Sequence, residues 1–170
     1  DEVHLVLGGG GQDKGQSLIA DDLSLKASRL QELANAGVPM LMICGMYQMF
    51  GHYFKTHTGE KIPGIGVLDI YTVAGNGRLI GNIVTTTKYG KLVGYENHSG
   101  LTYLNEGAVA LGQTKKRQGN NGEDSSEGAQ YNNVFGSYLH GPVLAKAPEF
   151  ADFLISCALQ VAGIKHDIAV

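Results

Sequence analysis

Apolar residues in the first half of the chain fall into short continuous runs separated by one stretch of helical spacing. Residues 3–7, Val3-His4-Leu5-Val6-Leu7, read as a short buried strand that stops at Gly8-Gly9-Gly10-Gly11. No strand or helix interior tolerates four glycines, so a loop follows. From 17 to 36, Leu23, Ala27, Leu30 and Ala34 share one helical face, and Gly37 stands where a helix would stop ahead of Pro39. Val38-Pro39-Met40-Leu41-Met42-Ile43 is a second buried strand that runs straight into Cys44, after which Met46, Met49, Phe50 and Tyr53 recur at helical spacing. Strand, loop, helix, strand, helix is a βαβα unit. Its crossover implies parallel strands in a sheet covered on both faces.

The middle of the chain changes period. Residues 67–73, 79–87 and 91–95 alternate in a strand-like way, with turn signals at Asn76-Gly77 and Tyr89-Gly90, so hairpins are expected here. Residues 108–111 read as another short strand. The polar stretch 113–133, with Gly119-Asn120-Asn121-Gly122, reads as a surface excursion. Val134-Phe135-Gly136-Ser137-Tyr138-Leu139 returns to the sheet and ends at His140-Gly141-Pro142. Pro148 then opens a last helix with Phe150, Phe153, Leu154, Cys157, Ala158 and Val161 on one stripe, which makes Cys157 a core residue. No internal repeat is present. The pattern as a whole predicts a three-layer α/β/α, flavodoxin-like fold: a mostly parallel sheet with an antiparallel hairpin extension, in one domain over residues 1–170.

Composition narrows the function classes. With 13 basic and 16 acidic residues the net charge is −3, and no basic stripe is present to track phosphates, so nucleic acid is not an expected partner. The two cysteines have neither metal-ligand spacing nor a disulfide framework, which points to a reducing, cytoplasmic setting and no metal. No apolar run approaches the ~20 residues needed to span a bilayer, and no signal segment opens the chain. Asp1-Glu2 lead almost at once into a strand without a methionine, which reads as a chain trimmed ahead of it.

In parallel α/β sheets sites form beyond the carboxyl ends of strands, and here the glycine loop, Cys44 and His140 all end strands. A thiol at a strand-helix elbow is either an activated nucleophile, favoured as thiolate by the first helical N–H groups, or a packed core cysteine. Paired with His140 as acid and base, and with Gly45 and Gly9 or Gly10 as N–H donors to an oxyanion, Cys44 would complete an acyl-transfer site. The glycine run could instead cradle phosphate, but it lacks the Lys-Ser/Thr of a P-loop and the Gly-x-Gly-x-x-Gly spacing. His98 is ambiguous from its context.

Ile43-Cys44-Gly45-Met46-Tyr47-Gln48-Met49-Phe50-Gly51 resembles the nucleophile elbow of class I (triad-type) glutamine amidotransferases of the cobyric acid synthase-like branch, which reads Cys-Gly-Gly-Tyr-Gln. Gly94-Tyr95-Glu96-Asn97-His98-Ser99-Gly100 is similar to that branch's Gly-Tyr-Glu-x-His segment. Gly136-Ser137-Tyr138-Leu139-His140-Gly141 is similar to its Gly-Thr-Tyr-Leu-His-Gly. The match spans nearly all the chain, lacking only the family's N-terminal strand and helix. Within the branch, Gly8-Gly9-Gly10-Gly11-Gln12-Asp13 and the acidic Asn120-Asn121-Gly122-Glu123-Asp124 with Glu127-Gly128 resemble the free-standing glutaminase subunits of lipid II isoglutaminyl synthases.

That resemblance implies a subunit that hydrolyses L-glutamine through a Cys44 thioester, with His140 protonating the departing ammonia. It implies a Mur ligase-like synthetase partner, which binds the lipid-linked acceptor and holds ATP and Mg, with no cofactor on this chain. Ammonia is mostly protonated in neutral water, so delivery to that partner requires a sheltered path and hence a complex. Arg78, expected in a tight Asn76-Gly77-Arg78 turn, has the forked guanidinium to hold the substrate α-carboxylate, or is a plain surface arginine. Gln48 positions substrate or braces the elbow, and His98 is carried as a further substrate-binding candidate. Two departures stand out. Met42 and Met46 replace common glycines, and Pro142 stands where many class I enzymes place a glutamate to orient the imidazole, leaving a Cys-His dyad or a carboxylate from elsewhere, the partner subunit included. Alternatives are a glutaminase component of a cobyrinic or cobyric acid amidating synthase, and a catalytically silent docking module.

Overall fold

A computed structural model describes residues 2–10 and 16–165. The first strand β1 (Val6–Gly8) precedes helix α1 (Gln16–Asn35), strand β2 (Met40–Ile43) and the short helix α2 (Gly45–Met49). β1 and β2 pair in parallel, and β10 (Val134–Ser137) joins β2 on its other side, also in parallel, with Ser137 opposite Ile43. β9 (Ala129–Tyr131) closes this four-stranded sheet antiparallel to β10.

Period-2 alternation decides which layer each strand residue feeds. Met40, Met42 and Val134 pack with α1 residues Leu23, Leu33 and Ala34, whereas Leu41 and Phe135 pack with Phe150 and Leu154 of α4 (Pro148–Val161). Helices thus cover both faces, as the three-layer expectation required. Tyr89, Phe135, Phe150 and Phe153 make an aromatic cluster on the α4 side, with ring centroids 4.6 to 6.0 Å apart.

A second sheet carries β3 (Tyr53–Lys55), β4 (Lys61–Pro63), β5 (Ile70–Thr87), β7 (Gly112–Gln113) and β8 (Ser126–Glu127), with β6 (Gly90–Leu104) paired to β5. β5 and β6 form one long antiparallel hairpin whose turn lies at residues 87–90, as the Tyr89-Gly90 signal predicts. Asn76-Gly77 makes no turn. Its flanks remain paired to the same partner, Ala74 with Gly100 and Leu79 with His98, so residues 75–78 bulge within a continuous strand.

Other expectations are corrected. The helix after Cys44 ends at Met49, and Tyr53 belongs to β3. Residues 108–111 form no strand; Val109 makes a single bridge to Gln130 and is 57% exposed. Residues 113–133 are no surface excursion, since Asn120, Asn121, Ser126, Glu127 and Ala129 are buried and three strands run through them. Cys157 is only partly buried on α4. No helix of the described residues is long and apolar enough to cross a membrane.

Candidate active site

Cys44 leaves β2 at φ 54°, ψ −111°, a conformation an L-residue adopts only under constraint from its surroundings, at a cost of about 1–3 kcal/mol. Two backbone hydrogen bonds impose it. The Cys44 N–H donates to the Ser137 carbonyl at 2.9 Å, and its own carbonyl accepts from the Gln48 N–H at 3.0 Å. Strand β10 therefore fixes the position of the elbow, and the chain runs on from it through Tyr138 and Leu139 to His140.

His140 is fixed from the hairpin side. Its N–H donates to the Tyr95 carbonyl at 2.8 Å and its carbonyl accepts from the Tyr95 N–H at 3.0 Å. Gly10 reports how close the reactive residues come: a Cβ built there would lie 3.0 Å from His140 Cε1, 3.2 Å from Cys44 Cβ and 3.7 Å from His140 Nδ1. The Cys44 Cβ and the His140 ring thus flank one point that only glycine leaves open. A cavity of about 330 Å³ lies on the His140 side of Gly10, lined by Gly8, Gly9, Gly10, Ile43 and His140 among others but not by Cys44. Burial, seconded by the nearby His98, pushes the His140 pKa below its ordinary value and favours the neutral imidazole that can accept a proton.

The remaining predicted residues divide. Gly45 is the buried first residue of α2, directly after Cys44, while Gly9 lines the same cavity with nothing within 4 Å of a Cβ placed on it. Gln48 is buried, and its Nε2 donates to the Tyr138 hydroxyl at 3.0 Å, so its amide braces elbow to strand. Arg78 is exposed on the β5 bulge; its Nε donates to Asn97 Oδ1 at 3.0 Å and its Nη2 to the Asn97 carbonyl at 3.3 Å. The guanidinium is thereby tethered one residue from His98. His98 is not on the cavity surface. Its side chain is 1% exposed and its ring stacks under Tyr138, which places it beneath the site rather than against a bound amino acid.

Met42 and Met46 fill the space beside Gly8, where a Cβ would strike Met46 Cγ at 2.5 Å and Met42 Sδ at 2.6 Å. The departure repacks the underside of the elbow and leaves the meeting point of Cys44 and His140 open. Pro142 lines the cavity two residues past His140 and supplies no carboxylate; His140 Nε2 is buried with no hydrogen-bond partner among the described residues. Gln12-Asp13 lie outside the described residues. No group of three or more His, Cys, Asp or Glu among the described residues could hold a metal ion.

Sequence reasoning missed the brace beneath the site. Asn120, fully buried, accepts at Oδ1 from the Tyr47 hydroxyl at 3.0 Å and the Gly128 N–H at 2.9 Å, and donates through Nδ2 to Ser126 Oγ and the Gly128 carbonyl. Glu127 Oε1 accepts from Ser137 Oγ at 3.0 Å and the Tyr138 N–H at 2.7 Å. Burial raises the Glu127 pKa to about 7. One segment thus grips the helix after Cys44 and the strand before His140. Nothing in its polar composition signals that placement.

A family model for the CobB/CobQ-like glutamine amidotransferase domain matches residues 1–148. The chain is 42% identical over 168 residues to subunit GatD of the glutamine-hydrolyzing lipid II isoglutaminyl synthase of Staphylococcus aureus strain N315, covering 98% of the chain and 68% of that protein. It is also 42% identical over 170 residues to the subunit of the same name in Streptococcus pneumoniae strain ATCC BAA-255 / R6, covering 94% of the chain and 64% of that protein. A cobyric acid synthase of Pelotomaculum thermopropionicum is 32% identical over 135 residues, with 68% of the chain and 25% of that protein covered. The chain therefore spans about two thirds of the GatD relatives and a quarter of the synthase. Among solved structures, a glutamine amidotransferase superposes with TM-score 0.66 at 16% identity, covering 95% of this chain and 80% of that one. PurLQS from Thermotoga maritima gives 0.67 at 13% identity, covering 92% and 80%. At such identities the likeness is one of fold.

Proposed function

Because the chain belongs to the CobB/CobQ-like glutamine amidotransferase domain family, we propose that it hydrolyses L-glutamine to glutamate and ammonia and supplies the ammonia to a synthetase subunit. The observation that carries this is the convergence of Cys44 and His140 over Gly10. In this reading neutral His140 takes the thiol proton and the Cys44 sulfur attacks the side-chain amide carbon of glutamine. The resulting oxyanion is held by the N–H groups of Gly45 and Gly10. Collapse of the tetrahedral adduct breaks the C–N bond as His140 returns its proton to the departing ammonia. Water, deprotonated by His140, then cleaves the γ-glutamyl thioester, releasing glutamate and regenerating the thiol. Arg78 holds the substrate α-carboxylate, with its tether to Asn97 limiting the freedom it loses on binding.

The substrate class beyond glutamine follows from the GatD relatives, whose names give a lipid II isoglutaminyl synthase. The partner is then a Mur ligase-like protein that binds ATP and Mg, holds a lipid-linked acceptor and amidates its D-glutamate in the cytoplasm, as a step of peptidoglycan synthesis. The cobyric acid synthase relatives, about a third identical, support a second reading in which the acceptor is a corrinoid carboxylate. Treatment with a glutamine-mimicking diazo-ketone followed by peptide mapping tests the glutaminase step. An adduct on Cys44 that is lost in Cys44→Ala and weakened in His140→Ala is expected, and an unmodified Cys44 would favour a silent docking module. Reconstitution with the neighbouring synthetase and either lipid II or a cobyrinic acid acceptor separates the two acceptors.

A further inference from the structure

Beneath the segment that leads from β10 to His140 lies a polar cluster that the chemistry above does not use. His98, on β6, is 2% exposed, and its ring lies flat on that of Tyr138, with centroids 3.5 Å apart and planes 5° from parallel. Its Nδ1 is 2.8 Å from the Gly100 carbonyl. A carbonyl only accepts, so Nδ1 carries a hydrogen, and in a neutral ring Nε2 is then a bare lone pair. The group facing that nitrogen is Glu96 Oε2, 3.6 Å away and itself 2% exposed.

A lone pair opposite a carboxylate in a buried position is repulsive on both sides. One added proton removes the conflict. It converts the contact to imidazolium against carboxylate. Glu96 is anchored for this role by the Gly119 N–H, which donates to its Oε2 at 2.9 Å.

Every charged neighbour bears on where that proton sits. Glu127, from β8, lies within electrostatic range of Glu96, and its Oε2 is buried without a hydrogen-bond partner among the described residues. The strand end contributes Tyr138 against the ring and His140 within range of it. The elbow brings Cys44 within range of Tyr138, and β5 brings Arg78 onto Asn97. β6 therefore holds residues 138–140 twice, by the Tyr95 backbone pair and by the His98 ring.

We propose that Glu96 and His98 share a buried proton and act as positioning residues that seat His140 through the Tyr138 ring and set the pH range over which it works. The inference rests on the reading of His140 as acid and base. With the shared proton on His98, the positive end of the pair is the ring that acts on His140, so the pair disfavours a second positive charge there and keeps the base unprotonated at lower pH than an isolated histidine would allow. That agrees with His98 being one cause of the lowered His140 pKa.

The test uses the full chain, and its synthetase partner where that is needed for turnover, with Glu96→Gln and His98→Gln, reading glutaminase kcat/KM from pH 5.5 to 9. Both variants should move the ascending limb upward by about half a pH unit or more, so that activity at pH 6.5 falls roughly three- to tenfold and recovers toward wild type by pH 8.5, with KM little changed. A uniform loss at every pH, with the limb unmoved, would mean a merely structural role and overturn the proposal. Nitrogen-15 NMR of the wild-type imidazoles gives a reading that does not depend on how the variants fold. His98 should show a hydrogen-bonded or protonated Nε2 at pH 6.5, and a bare Nε2 resonance there would also overturn it. Failure of the diazo-ketone to label wild-type Cys44 would instead sink the glutaminase reading, and the two failures are told apart by that control.

Discussion

Gly10→Ala puts a single methyl group into the space where nucleophile and base meet. No positive φ marks this glycine, so the backbone accepts alanine, and the whole effect falls on the neighbours at 3.0 Å (His140 Cε1) and 3.2 Å (Cys44 Cβ). Each must yield by a few tenths of an ångström. Misplacing reacting groups by a full 1 Å costs on the order of a hundredfold in rate, so a shift of this size should lower kcat about tenfold, roughly 1.4 kcal/mol in the barrier. Stability should hardly move, because Gly10 is exposed and the entropy removed from the unfolded chain, about 0.4–1 kcal/mol, offsets mild crowding. The assay is glutamate release at saturating glutamine alongside a thermal melt. Gly9→Ala is the comparison, since its Cβ meets nothing within 4 Å and its N–H survives, and it should lose far less. A Gly10→Ala enzyme with kcat within about twofold of wild type, or an equal loss in Gly9→Ala, would refute the placement of Cys44 and His140 around this residue.

Cys44→Gly and Cys44→Ala should both be inactive, but the glycine variant should melt higher by about 2–4 °C, because it alone relieves roughly 1 kcal/mol of the strain at φ 54°; equal melting points would show the conformation to be unstrained. Glu127 keeps its proton in the folded chain up to about pH 7 but releases it near 4.5 when unfolded. Its stabilising share is therefore full below pH 4.5 and is lost as pH rises toward 7, by about 3 kcal/mol. Glu127→Gln should flatten that part of a stability-against-pH profile measured by denaturant titration, and an unaltered slope would refute the burial argument. Arg78→Lys retains the charge and loses the fork, so KM for glutamine should rise about tenfold with kcat nearly constant; a pure kcat effect would remove Arg78 from substrate binding.

Much of the architecture could be read from the chain because it is written in local periodicity. The continuous apolar run into Cys44 and the 3.6-residue spacing of Leu23, Ala27, Leu30 and Ala34 report burial directly, and β2 and α1 stand where they predict. That Cys44 and His140 come together is legible because each follows a strand of one parallel sheet, and such ends converge. The failures share a cause, which is that partners distant in sequence overrode a local signal. Asn76-Gly77 is a strong turn dipeptide, yet β6 keeps hold of both flanks, so the chain bulges instead of reversing. The Gly/Asn-rich stretch looks solvated, but the buried Asn120 side chain makes four hydrogen bonds, to Tyr47, Ser126 and Gly128, and composition carries no record of that satisfaction. His98 stands out in the sequence only by its residue type, whereas its place under Tyr138 depends on a stacking contact across forty positions.

The Asn120-to-Glu127 segment has a consequence for how this molecule can change over time. It clasps Tyr47 on one side and Ser137 with Tyr138 on the other, so the two arms that present sulfur and imidazole share a single keystone. Insertions that ordinary linkers absorb would here pry both arms apart at once. The stretch that most resembles dispensable filler is thereby the one least free to drift.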